Sequence, residues 1–263
     1  MVPRRAARGR RAVAPRPRPP PGARRGGELA RRGGHRGDRE ALTFRLSVFP
    51  SFRQTRGAPV PAPSTLSVRA AAESRRAIRR YRGQQVPEED VLEILRQVRL
   101  APSPDNLQPW RFLVVRDAEK RAGILAMADR GEQVEAAQAL IVLYADMEDV
   151  LANLDEIVHP GLSEADRERI TARVLDRFGR EPVADRQRFA HGVAYIALGY
   201  LLLAAEAMGY RTAPMREFSA AGVQELLGLP AHVTIPALIA IGKGDEAGWP
   251  HHRHSVERIT RFV

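Results

Sequence analysis

The chain has 263 residues, 44% of them hydrophobic, enough for one domain of ordinary size with a substantial core and some length to spare. Its net charge of +11 is unevenly placed: residues 1–70 hold 17 Arg and no Lys against Glu28, Asp38 and Glu40, a local +14 that leaves residues 71–263 at −3. The absence of cysteine excludes disulfides, thiolate metal sites, Cys nucleophiles and iron–sulfur clusters, and it fits a reducing compartment such as the cytoplasm.

From Met1 to about Ser67 the residues are Arg, Pro, Gly and Ala with almost no hydrophobic period, including Pro15 to Pro21 and Arg31, Arg32, Gly33, Gly34. Such a segment buries too little apolar surface to offset its ordering entropy, so residues 1–67 are expected to be a disordered basic appendage and residues 68–263 the folded domain. A nucleic-acid-binding tail, an organelle transit peptide and upstream sequence from a misassigned start codon in a GC-rich gene compete as accounts of it. GC-rich codons favour the last, and the scarcity of Ser before Ser47 disfavours a transit peptide. The apolar segment of about 7 to 15 residues that a secretory signal requires is missing. A short patch at Leu42 to Phe52 is compatible with a helix or a strand.

Regular structure is expected from about Leu66. Pro87 to Leu100 opens with Pro and then Glu88, Glu89 and Asp90, residues suited to a helix N-terminus, and Val91, Leu92, Ile94, Leu95 and Val98 recur at helical spacing. Short apolar runs at Phe112 to Val115, Leu140 to Tyr144 and Pro236 to Ile241 predict strands, with helices around Val150 to Val158 and Ser163 to Phe178 between the second and third. Phe189 to Met208 is an apolar helix ending at Gly209; its most apolar part, Gly192 to Ala205, falls short of a membrane span and is expected to be buried. Helices and strands interleave irregularly, which predicts an α+β layer fold rather than a βαβ repeat.

Four stretches carry candidate chemistry. Arg75, Arg76, Ala77, Ile78, Arg79 and Arg80 form a basic cluster; guanidinium groups bind phosphate bidentately, although basic runs are more often solvated surface. Pro102, Ser103, Pro104, Asp105, Asn106, Leu107, Gln108, Pro109, Trp110 lies between a helix and a strand, where a loop is held by rigid elements. Turn chemistry explains its Pro, Ser, Asp and Asn, but not why Asn106, Gln108 and Trp110 follow in this order. The other two, Gly131 to Val134 and Ala194 to Met215, take their meaning from a family resemblance.

The string PSPDNLQPWRF closely resembles the PSxxNxQPWxF signature of nitroreductase-type flavoproteins, RRAIRRY lies where they carry RRSxRxF, and the apolar helix with its following turn is similar to their central dimer helix. The resemblance runs in order from about residue 71 to the C-terminus. It implies a layered α+β fold with a mainly antiparallel central sheet flanked by helices, an intertwined homodimer, and FMN as cofactor. By the same resemblance Arg75, Arg76, Ala77 and Arg79 hold the phosphate and pyrimidine edge; Pro102, Ser103, Asn106 and Gln108 reach the flavin from the opposite subunit. Gln133 meets the pyrimidine edge, Pro214, Met215 and Arg216 form a turn over the flavin, and Arg253 closes the phosphate site.

Two departures stand out. Ala77 replaces the family's Ser and loses a hydroxyl donor, and Arg216 and Glu217 put bulk and charge where the family often has smaller residues. The implied reaction is ping-pong hydride transfer from NAD(P)H through the flavin to a nitroaromatic, quinone or similar acceptor, with no protein acid or base required. Flavin destruction or reductive dehalogenation on the same fold is the enzyme alternative. The −3 charge of residues 71–263 and the lack of aromatic residues interleaved with the Arg run disfavour a nucleic-acid-binding protein. No GxGxxG follows a strand, so NAD(P)H is expected to bind transiently; His251, His252 and His254 are not expected to form a metal site, nor the chain to bind a membrane.

Overall fold

The computed structural model describes residues 65–83, 85–131 and 135–263; residues 1–64, with the Leu42 to Phe52 patch, and Gln133 lie outside them. Ser67, assigned to the appendage by composition, is instead the N-cap of α1 (Val68–Ser74), its hydroxyl accepting from the Ala70 amide at 3.2 Å.

One antiparallel sheet organises the domain, with strand order β1 (Trp110–Val115), β2 (Ala139–Ala145), β4 (Thr234–Gly242), β3 (Arg211–Met215). Every residue of β4 after Thr234 is buried, the continuous apolar run that a strand covered on both faces requires. Ala237, Ile239 and Ile241 face one core and Leu238 and Ala240 the other. The first core is closed by α6 (Val183–Ala207) and by α2 (Glu88–Val98), which buries Val91, Ile94 and Val98. Ile124 and Leu125 of α3 (Ala118–Ala126) and Val223 of α7 (Ala220–Leu227) close the second.

The apolar helix is longer than its apolar pattern, because α6 starts six residues earlier than Phe189. It is long and apolar enough by length and composition to cross a membrane, yet half of that stretch is buried against the sheet and α2, the position of a core helix. It ends at Gly209, whose φ of +77° suits glycine, with the Tyr210 amide turning back to Ala205 O at 2.9 Å.

The helix expected over Val150 to Val158 is broken into α4 (Met147–Ala152) and a 3-10 turn, Leu154–Ile157. Asn153 breaks it: its side-chain amide donates to Asp149 O at 2.8 Å, competing for a carbonyl of the last α4 turn. A charged helix, α5 (Glu164–Phe178), follows as expected, capped by Ser163.

β3 escapes a reading by apolar periodicity because Pro214 interrupts it. On an edge strand a missing N–H costs no ladder bond to a neighbour, so Pro214 is tolerated. The exposed side of β3 is covered by the basic cluster itself. Ala77 bridges Thr212 in parallel, the Ile78 amide donates to Thr212 O at 3.1 Å, and Tyr81 bridges Gly244. Ile78 and Tyr81 are thereby buried while Arg79 and Arg80 point outward. A short helix, α8 (Val256–Ile259), ends an exposed C-terminal arm.

Candidate active site

Laying the basic segment along β3 creates a cleft of about 400 Å³, lined by Ala77 and Arg79 on one wall and Ala213, Pro214 and Met215 on the other. Pro214 and Met215 reach it as the end of an edge strand, not as a turn. Three further residues close it: Asp129, Arg130 and Glu217. They arrive through a pairing invisible in the sequence, in which Ala128 bridges Phe218 and the Asp129 amide donates to Glu217 O at 2.8 Å. Arg130 sits at φ +61°, an uncommon conformation for a residue with a side chain. The only local hint was the turn-like Asp129, Arg130, Gly131.

Arg79 is positioned through its backbone. Its amide and that of Arg80 donate to Glu246 Oε1 at 2.7 and 3.1 Å, while the Arg80 Nε lies 3.3 Å from Glu246 Oε2. The Arg79 amide is the main reason the Glu246 carboxyl is held below the usual carboxylate range. Among the described residues the Arg79 guanidinium has no hydrogen-bond partner and faces the cleft. A second hollow, about 280 Å³, continues past Arg79 and Arg80 to Gly248 and Trp249.

Arg75 and Arg76 precede the cleft residues on the same segment, and the C-terminal arm that carries Arg253 meets that segment at His251. Arg76 Nη1 donates to Glu73 O at 2.7 Å and Arg75 O at 3.0 Å and lies 2.6 Å from His251 Nε2, tying the segment to the C-terminal arm. That approach needs Gly248: at φ +71° it packs so closely that a Cβ would stand 2.8 Å from Arg76 Cβ. Burial lowers the Arg75 pKa, Glu206 opposes the shift, and the charges of Arg253 and Arg76 add to it.

The loop at Pro102 to Pro109 is differently made. Ser103 Oγ accepts from the Gln108 amide at 3.0 Å, Asn106 Nδ2 donates to Ile157 O at 2.8 Å, and Gln108 Nε2 donates to Asn106 Oδ1 at 3.0 Å. Asp105, Asn106 and Gln108 all have positive φ, and Asp105 is pinned by Arg173 and Arg177 of α5. Pro102 is exposed, and Trp110 is buried at the start of β1. Ser103 and Gln108 close the loop on itself, and Asn106 both accepts from Gln108 and ties the loop to Ile157.

Register decides how these parts relate. Trp110 opposes Ala145, which opposes Thr234 at one end of β4, whereas Arg211 opposes Gly242 at the other. Strand spacing and rise therefore put the loop and the Arg75 corner on opposite edges and opposite ends of the sheet, about 30 Å apart. One copy of the chain does not bring them together. Arg216 also stands apart from the cleft; its guanidinium lies 5.5 Å over the Tyr195 ring on α6, while Met215 before it and Glu217 after it line the cleft.

This is a layered α+β fold with a cleft at the edge of its sheet that carries two arginines, Arg79 and Arg130, and two carboxylates, Asp129 and Glu217. The chain belongs to the nitroreductase family, whose model matches residues 72–243. It is 45% identical over 195 residues to a protein named NADH dehydrogenase from Thermus thermophilus, covering 74% of this chain and 95% of the relative. It is 28% identical over 198 residues to the putative NAD(P)H nitroreductase YdgI of Bacillus subtilis, covering 72% and 93%. A crystal structure of a putative nitroreductase from Exiguobacterium sibiricum in complex with FMN aligns with a TM-score of 0.69 at 26% identity, covering 76% of this chain and 99% of that one.

Proposed function

We propose that the chain is an FMN-dependent oxidoreductase that takes hydride from NAD(P)H and passes it to a small acceptor such as a nitroaromatic or quinone, working as a homodimer. The observation that carries this reading is the placing, along one segment, of Arg75 and Arg76 with Arg253 near enough to be felt and of Arg79 on the wall of the cleft that Met215 lines from the other side. These residues fit FMN: the corner offers bidentate donors to a phosphate, and the small Ala77 leaves room beside Arg79. When bound, FMN supplies the two-electron chemistry. Arg79 then offers positive charge to the ring edge that gains electron density on reduction, and Glu217 and Arg130 frame the mouth through which nicotinamide and acceptor enter in turn.

Three features support the second copy. The loop that the family uses across subunits lies far from the cleft within one chain. On α6 the outward Ile196 and Tyr200 are exposed beside Gly192 and Gly199, and among the described residues no neighbouring atom would come within 4 Å of a Cβ on either glycine. The arm from Trp249 to Val263 is exposed throughout, with Trp249, Val256, Ile259 and Phe262 bare to solvent. The deciding experiment is a flavin spectrum of the purified chain, then stopped-flow reduction by NADH and NADPH and a panel of acceptors. A folded protein that neither retains nor takes up FMN rejects the reading. A chain that binds FMN fully while sedimenting as a monomer rejects the dimer alone.

A further inference from the structure

Among the described residues Glu206 is the one carboxylate that is fully buried, 1% exposed, and left with an unpartnered oxygen, Oε2. It stands in the last turn of α6, where burial and the negative end of the helix dipole both disfavour a carboxylate. Packing alone would be served there by an apolar residue of similar volume. Its other oxygen is well used: Oε1 accepts from Ser74 Oγ at 2.8 Å and from Arg211 Nη1. Ser74 directly precedes Arg75, so this carboxylate is tied to the base of the arginine corner. The Arg75 guanidinium is half-buried, feels the Glu206 charge, and donates no hydrogen bond among the described residues.

A carboxylate kept for structure alone would have both oxygens satisfied. An orphan oxygen on a carboxylate bonded to Ser74, the residue next to the unengaged Arg75, points to a pair that closes when an anion docks. We propose that Glu206 is a positioning residue for the FMN phosphate, its charge and free Oε2 holding the inner edge of Arg75 so that the outer edge faces the phosphate. This rests on the FMN reading above. Glu206 also offsets part of the repulsion among Arg75, Arg76 and Arg253 before the phosphate arrives.

The test is equilibrium titration of the full-length chain with FMN and with riboflavin, read by quenching of flavin fluorescence, beside thermal unfolding. Glu206→Gln keeps the shape and removes the charge; it is expected to weaken FMN about tenfold and to leave riboflavin within about twofold. Glu206→Asp, which restores the charge, is expected to recover part of the loss. Equal losses for both flavins, unchanged FMN affinity, or tighter FMN binding each overturn the proposal. Should Glu206→Gln fail to fold, Ser74→Ala loosens the same carboxylate and is expected to weaken FMN alone by about threefold; an FMN affinity equal to the parent's overturns the proposal there. Arg75→Ala separates the levels. If it leaves the FMN-to-riboflavin ratio unchanged, the phosphate reading itself fails; if it lowers the ratio while Glu206→Gln does not, only the role of Glu206 fails.

Discussion

The loop at Pro102 to Pro109 and the basic edge from Arg75 to Arg80 are both polar, both lie at margins of the sheet, and differ in how they are satisfied. In the loop, the side chains of Ser103, Asn106 and Gln108 are bonded within the chain, and residues at positive φ are kept in place by those bonds and by the Asp105 ion pairs. At the edge, the guanidinium groups of Arg75 and Arg79 have no hydrogen-bond partner among the described residues. A self-satisfied loop is a preformed surface whose contribution is shape; two guanidinium groups left without partners favour a negative ligand.

The sharpest way to break this contrast is to remove a cation. On the proposed reading each of Arg75→Ala and Arg253→Ala removes a charge-assisted bond to the phosphate of about 1.5 to 3 kcal/mol, so FMN affinity is expected to fall about 10- to 150-fold with riboflavin nearly indifferent. Fluorescence titration checks it, and parental FMN affinity in both variants would show that the corner holds no phosphate. Arg79→Ala acts on the ring instead. It is expected to lower the flavin reduction potential by about 30 mV, roughly 1.4 kcal/mol for two electrons, and to slow reduction by NAD(P)H more than it weakens FMN binding. Potentiometry on the purified variant decides this, since an unchanged potential would remove Arg79 from that role.

In the loop the expected signature is stability. Asn106→Ala breaks the bond to Ile157 O and should cost about 1 kcal/mol, a fall in Tm of about 2 to 4 °C by calorimetry. A parental Tm would mean that the loop is not held as described. His191, distant in sequence from both regions, supplies a smaller pH effect. Burial, then the charge of Arg216, lower its pKa. The unfolded chain therefore takes up a proton that the folded chain resists as pH falls through about 6.5, and stability drops there. His191→Gln should flatten the decline of Tm below that pH; an identical decline would assign it to other groups. The smallest effect is expected from deleting residues 1–64, which carry no core-forming pattern: FMN content and turnover should match the parent, and a folded but colourless product would contradict this.

Local physics made much of this protein legible from residues alone. The continuous apolar run of β4, the helical spacing of Val91, Ile94 and Val98, and the Gly209 stop each declare their element within a few residues. The order of Asn106, Gln108 and Trp110 carried the resemblance, because a loop that closes on itself writes its bonds into adjacent positions. The arginine corner was visible as composition. Tertiary structure decided everything that depends on non-local pairing. Strand order and register separated the loop from the corner, and the Ala128 to Phe218 bridge brought Asp129 and Arg130 to Glu217. Alternation after β3 sent Arg216 to Tyr195 and Glu217 into the cleft. Glu206 was in plain view as the one carboxylate of the apolar stretch from Phe189 to Met208; only the packing of α1 and β3 against that helix put Ser74 and Arg211 on one of its oxygens and left the other free. Spacing along a chain records which face a residue shares with its neighbours, while the partner it meets across the core depends on how distant segments close together.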